Sequence, residues 1–279
     1  MRKEHRFFER FPLDAHVQVG DEKLTSPYHV YDGTLLLVGG TVESAQAAAL
    51  LGPSGLHPVR DTEGRALAAV WVGDFTEANL GPHHELQISL LASRGEAPPV
   101  VAHPLAMLVA LVTQPQVRVV CHGLWNSTQR VVRYNAEHLG LDARFGTGIL
   151  TRAGSRWQFE FSDIDGQPLV QGALDEVRRM PTALAWELAR RVGWAAAWRA
   201  LRDPVVQVPV LNTLSPYADT LEVAQTYTLA DRQSLRLATE SDALQISVAP
   251  YAALGFTPAF VQQLEGLRFI YLRPRPEAV

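Results

Sequence analysis

Two histidines and a glutamate stand at the head of an apolar run in the stretch DFTEANLGPHHELQISLL, Asp74 to Leu91. Paired as a strand, the run puts His84, Leu86, Ile88 and Leu90 on one face and His83, Glu85, Gln87 and Ser89 on the other. One face is greasy and the other wholly polar. His83 and Glu85 then point the same way, with about 7 Å between their Cα atoms, a spacing at which both can grip one ligand. Burial raises a carboxyl's pKa and an imidazole titrates near neutrality, so the chemistry this pair offers is acid–base. The same alternation suits an exposed strand, a polar network filling a barrel, or a strand that lines a pocket inside one.

Other combinations of reactive residues offer less. Cys121 and His122 are neighbours in a strand-like run and face opposite ways, so they are no nucleophile–base pair, and Cys121 reads as a buried structural residue. His83, Glu85 and His122 could supply two histidines and a carboxylate to a metal. No motif spacing supports that set, and nine scattered histidines produce such triples by chance. Neither a metal nor a cofactor is expected. Of 25 basic residues only Lys3 and Lys23 are lysines, so chemistry that needs an amine has two candidates, both near the N-terminus.

Composition narrows the class. A net charge of -4 without a basic stripe argues against nucleic acid as a partner. A single cysteine allows no intrachain disulfide and points to the reducing cytoplasm. MRKEHRFFERF lacks the apolar run of a secretory signal. The uncharged segment from Ala97 to Val117 holds four prolines, and its apolar centre, Leu105 to Val112, is far short of the roughly 20 residues that span a bilayer, so it reads as a buried helix or strand.

The elements that must position His83 and Glu85 are mostly strands. Residues 1–26 read as a charged N-terminal arm, and 27–279 as one β-rich domain. YHVYDGTLLLVGG offers two strand runs about an Asp32-Gly33 turn. TVESAQAAALLG is a short helix with Thr41 as N-cap and Gly52 past its end. ALAAVWVGDF, Ala66 to Phe75, has the composition of a strand covered on both faces. VRVVCHGLW is another strand, and NSTQRVVRYNAEHLGLD a helix capped by Ser127 and stopped at Gly140. RWQFEFSDIDGQPLVQGAL is a hairpin with Trp157, Phe159 and Phe161 on one face and Asp165-Gly166 at the turn. A helix from Pro181 to about Arg202 carries Trp186, Trp194 and Trp198. Strands near 205–214, 221–228, 233–239, 243–248 and 268–273 follow, with a short helix after Thr257. Many strands with a few peripheral helices make an α+β, barrel-like domain.

The order PYHVYDGTLLLVGGTVESAQAAALLG, a buried strand, then GDFTEANLGPHHELQISLL resembles the acetoacetate decarboxylase family. The likeness is good from Pro27 to Leu91 and weaker over 117–175. It implies a large closed, cone-like β-barrel, a small-molecule site inside it, and oligomers. The family's reaction uses a lysine that forms a Schiff base with a β-keto acid, the imine accepting electrons as CO2 leaves. Carried over residue by residue, the glutamate of the family's Gly-Pro-Tyr-x-Glu segment falls on Glu85, with Gly81 and Pro82 matching and His83 in place of the tyrosine. Glu137 and Gly140 fit the helix before the lysines. The Schiff-base lysine itself falls on Ala143 and the activating lysine on Arg144. An expected arginine falls on Gly33 and an acidic residue on Val70. Alanine forms no imine, so the family's decarboxylation is not expected.

The resulting expectation is a protein that acts on, or binds, a small carbonyl compound or organic acid in a barrel cavity. Glu85 would be the acid–base residue, His83 its partner, and Arg133, Arg144 and His122 substrate-binding groups. Glu85 should be more than half buried, with its neighbour among His83, Arg133 and Arg144. A non-catalytic binding barrel, such as a lipocalin-like carrier or sensor, fits the same residues. The arm and the tryptophan-rich helix point to a homo-oligomer.

Overall fold

The structure is a computed structural model that describes residues 5–52, 54–94, 98–176, 181–194, 205–212 and 223–273. The first half contains α1 (Arg6–Glu9), β1 (Ala15–Val19), β2 (Glu22–Ser26), β3 (Tyr28–Val42), α2 (Ser44–Leu51), β4 (Leu56–Pro58), β5 (Arg60–Asp61), β6 (Ala66–Ala78), β7 (His83–Arg94), β8 (Val100–Val101), α3 (Met107–Thr113) and β9 (Val117–Asn126). It continues with α4 (Gln129–Arg133), a π-helical turn (Tyr134–His138), β10 (Ala143–Ala153), β11 (Arg156–Asp163), β12 (Pro168–Asp175) and α5 (Thr182–Val192). The last part is β13 (Val206–Asn212), β14 (Val223–Leu229), β15 (Arg232–Leu237), β16 (Ala243–Ile246), β17 (Thr257–Glu265) and β18 (Arg268–Tyr271).

Strand pairing closes on itself. β3 pairs β6, β6 pairs β7, β7 pairs β9, β9 pairs β13, β13 pairs β14, β14 pairs β18, and β18 returns to β3. Each strand of this hydrogen-bonded ring sends alternate side chains to its two faces. Leu35, Leu37, Leu67, Ala69, Phe75, Leu91, Val119, Leu124, Val210 and Tyr271 go to one buried cluster, which α3 and the segment around Tyr134 help fill. Leu36, Val38, Val70, Val72, Leu86, Ile88 and Leu90 go to the other. A second antiparallel layer, β10-β11-β12-β16, covers that other face with Leu150, Trp157, Phe159 and Phe161. β6 is therefore covered on both sides, as its composition implies.

β3 is one strand of 15 residues, not two runs about a turn. Its register against β6 shifts between Val30 and Asp32 and again between Asp32 and Thr34. These bulges let one strand pair β18 at its start and β17 along its later part. Gly33 serves close approach: a Cβ there would lie 2.6 Å from the Asp74 carbonyl oxygen. The segment after Thr257 is likewise a strand, β17, held between β3 and β15. α2 begins at Ser44 after Glu43, and Gly52 ends it at a φ of 59°. α4 follows Thr128, and the Ser127 hydroxyl instead accepts from the His84 backbone N–H at 2.8 Å. The helix expected to reach Arg202 is described as far as Val192, and Trp198 lies outside the described residues.

Residues 5–26 contain α1, β1 and β2. β1 and β2 form a hairpin, and Phe7 and Phe8 bury against Tyr31 and Ile270. The described part of that uncharged segment, 98–117, contains β8, a short 3-10 turn and α3, which buries Met107, Ala110 and Leu111. Among the described residues no helix is long and apolar enough to cross a membrane.

Candidate functional site

The polar face of β7 looks into the ring. Trp71, Gly73 and Phe75 of β6 lie directly across from Gln87, Glu85 and His83. On the other side Asn126, Leu124 and Cys121 of β9 lie across from Glu85, Gln87 and Ser89. Trp71, Phe75, Leu124 and Cys121 all belong to the interior cluster, so Glu85 shares that apolar space.

Glu85 is largely withdrawn from solvent and makes one described hydrogen bond, in which the Asn126 amide Nδ2 donates to Oε2 at 2.9 Å. The Asn135 Nδ2 donates in turn to Asn126 Oδ1 at 2.9 Å. Burial pushes the Glu85 carboxyl from 4.5 up to about 7, against the opposing pull of the Asn126 amide. The group is thus poised between acid and base at neutral pH.

His83 is 3% exposed and faces Tyr28 rather than Glu85. Its Nδ1 lies 2.9 Å from the Gly81 carbonyl oxygen and its Nε2 2.7 Å from the Tyr28 hydroxyl. A carbonyl only accepts, so Nδ1 carries the hydrogen and the Tyr28 hydroxyl donates to Nε2. Burial holds the imidazole down at about 4, which keeps it neutral. Burial, with the Glu85 charge adding to it, holds the Tyr28 phenol well above its ordinary value. The Tyr134 ring stands 6.2 Å from that of Tyr28, and its buried hydroxyl, next to Ser26, lacks a well-formed hydrogen bond.

The other expected site residues are elsewhere. His122 occupies the bulge in β9, between the residues paired with Ile88 and Ser89. It is spoken for on the outer face by the Tyr251 hydroxyl at 2.8 Å and the Leu50 carbonyl at 3.0 Å. Arg133 is exposed against Gly20 of the N-terminal hairpin. Arg144 is exposed, paired with Asp142 and set over the Trp125 ring. Neither arginine pairs with Glu85, whose partner is the Asn126 amide, a group that the sequence did not single out.

Ala143 pairs with Leu124 at the start of β10 and packs on the interior cluster, so the position matched to an imine-forming lysine does face the ring interior. Lys23 is exposed on β2. Among the described residues no group of three histidine, cysteine or carboxylate side chains could hold a metal. Two open clefts lie apart from Glu85, one of about 550 Å³ over β11, β12 and β16 and one of about 230 Å³ beside α3.

Tyr28 sits in the PY step quoted above, but nothing in that step ties it to His83, 55 residues away. Asn126 and Asn135 carry no motif, and only register and the π-helical turn bring them together.

No protein-family model matches the sequence, and no curated protein matches it. Solved structures do. Acetoacetate decarboxylase from Legionella pneumophila subsp. pneumophila str. Philadelphia 1 superposes with a TM-score of 0.63 at 9% identity, covering 99% of this chain and 96% of that one. A second acetoacetate decarboxylase gives 0.58 at 11% identity over 91% of this chain and 89% of that one. The enduracididine biosynthesis enzyme MppR, complexed with pyruvate, gives 0.52 at 16% over 90% of each. The chain has the acetoacetate decarboxylase-like fold.

Proposed function

We propose that the strand ring is a closed barrel around a site for a small carbonyl compound or organic acid, and that Glu85 works there as an acid–base group without a lysine imine. The observation that carries this reading is the Glu85 carboxyl, largely withdrawn from solvent and raised to about 7, on the interior face that also holds Ala143. Protonated, Glu85 donates to a carbonyl or carboxyl oxygen. Ionised, it takes a proton from the carbon next to a carbonyl, whose oxygen receives the electron pair as an enolate. The apolar lining from Trp71, Phe75 and Leu124 suits a small organic skeleton, and a protein of the same fold is known in complex with pyruvate.

Exchange of pyruvate methyl protons in deuterium oxide, followed by NMR, tests the catalytic part. The wild type should speed exchange, and Glu85→Gln should lose at least about 100-fold of that rate, the usual yield of general base catalysis. Pyruvate binding by calorimetry without exchange would make the protein a carrier or sensor. Absence of binding across a panel of small keto acids, aldehydes and ketones would refute the site.

A further inference from the structure

We propose that Asn126, held from behind by Asn135, is a positioning residue that fixes which oxygen of Glu85 carries the proton. The two amides are 1% and 2% exposed, inside a region otherwise filled by leucine, valine and aromatic side chains. Polar groups buried there cost free energy unless they are paired. Both are paired in one direction.

An ionised carboxylate only accepts, so the amide nitrogen of Asn126 must face Glu85 Oε2. Its Oδ1 then points away and needs a donor, which Asn135 Nδ2 supplies. Turning the Asn126 amide over would set nitrogen against nitrogen. The backbone that carries Asn135 is fixed in turn: the π-helical turn closes with Leu139 N–H to Tyr134 carbonyl at 3.2 Å, and the Asn135 backbone carbonyl accepts from Leu141 N–H at 2.9 Å. With Asn135 Nδ2 facing Asn126 Oδ1, Oε2 is the acceptor in both protonation states. The proton of the neutral acid resides on Oε1, the oxygen left for a ligand.

Among the described residues the other titratable groups facing this space are His83 on β7, Cys121 on β9, Tyr28 on β3 and Tyr134 on the π-helical turn, with Asp142 close enough to act on the Cys121 thiol. The His84–Asp74 pair, 3.5 Å apart, lies on the opposite face of the sheet. That a working carboxyl is being positioned rests on the function proposed above, whereas the amide relay can be measured without any ligand.

The measurement is a carboxyl 13C NMR titration of the free protein, with the Glu85 signal assigned by its loss in Glu85→Gln. Asn126→Ala should raise the Glu85 midpoint by about one pH unit, since a donor to the charged form is removed. Asn135→Ala should raise it by less. Asn126→Asp keeps the shape but cannot donate when ionised, and should split the titration into two coupled steps. A Glu85 midpoint unmoved in folded Asn135→Ala and Asn126→Asp overturns the proposal, as does a shift confined to His83. If Asn126→Ala does not fold, the other two variants decide. Failure of all three to fold would assign the amides to the core alone and also overturn it. Loss of ligand binding by the wild type would sink the function and leave this result standing.

Discussion

Ala143 is a methyl group where the acetoacetate decarboxylase resemblance calls for the imine-forming amine, and among the described residues no lysine lies beside it. Lys23, the described lysine, sits exposed on the N-terminal hairpin. Borohydride reduction in the presence of acetoacetate should therefore leave the protein's mass unchanged, and a stoichiometric adduct on Lys23 would contradict this. The Tyr28–His83 pair makes a second prediction at this scale. Tyr28→Phe keeps the ring but removes the donor to a buried imidazole nitrogen, which costs about 1–3 kcal/mol. A urea titration that shows no loss would mean that His83 finds another partner. Period-two alternation made Glu85 and His83 legible in the sequence. Their partners were not, because Tyr28 and Asn126 lie 55 and 41 residues away and meet them only through strand register.

At the scale of elements, local pattern succeeded where a segment's fate is decided by its own residues. The hairpin of β11 and β12 has its three aromatics buried on one face and Gly166 at a φ of 76° in its turn, as read from the sequence. It failed where a distant strand decides. Asp32-Gly33 has turn chemistry, yet β6 and β18 hold it in one long bulged strand. TPAFVQQLE reads as a short helix, yet as β17 it sends Phe260 and Leu264 into the ring interior. Glycine choice records the same long-range packing. A Cβ on Gly39 of β3 would lie 2.1 Å from Phe260 Cζ. Gly39→Ala should destabilise the protein by about 1–3 kcal/mol through overpacking. Adding Phe260→Leu should recover part of that loss. Additive losses in the double-mutant cycle would show that the contact does not set the cost.

For the whole molecule, the balance of buried titratable groups sets how stability varies with pH. Burial holds His29, His83 and His138 down at about 4 from an ordinary 6.5. Their contribution is full above 6.5 and is lost as the pH falls through 4. Glu85 acts in the opposite sense. Its folded value of about 7 exceeds the ordinary 4.5, so the folded state holds its proton more tightly than the unfolded chain. That contribution is full below 4.5 and is lost as the pH rises through 7. Glu85→Gln removes the Glu85 titration and leaves the histidines, which isolates the carboxyl. The variant should match the wild type closely near pH 4.5 and gain on it steadily up to pH 7. At pH 8 it should be more stable by up to about 3 kcal/mol, the free energy of a shift of roughly two and a half pH units. Urea midpoints for both proteins from pH 4.5 to 8 measure the difference directly. A gap that stays constant with pH would mean that Glu85 is not desolvated in the folded protein, and the interior site would lose its acid. A gap that widens over that window would show that the fold sacrifices stability at neutral pH to keep a carboxyl inside its ring, which a merely structural residue has no reason to do.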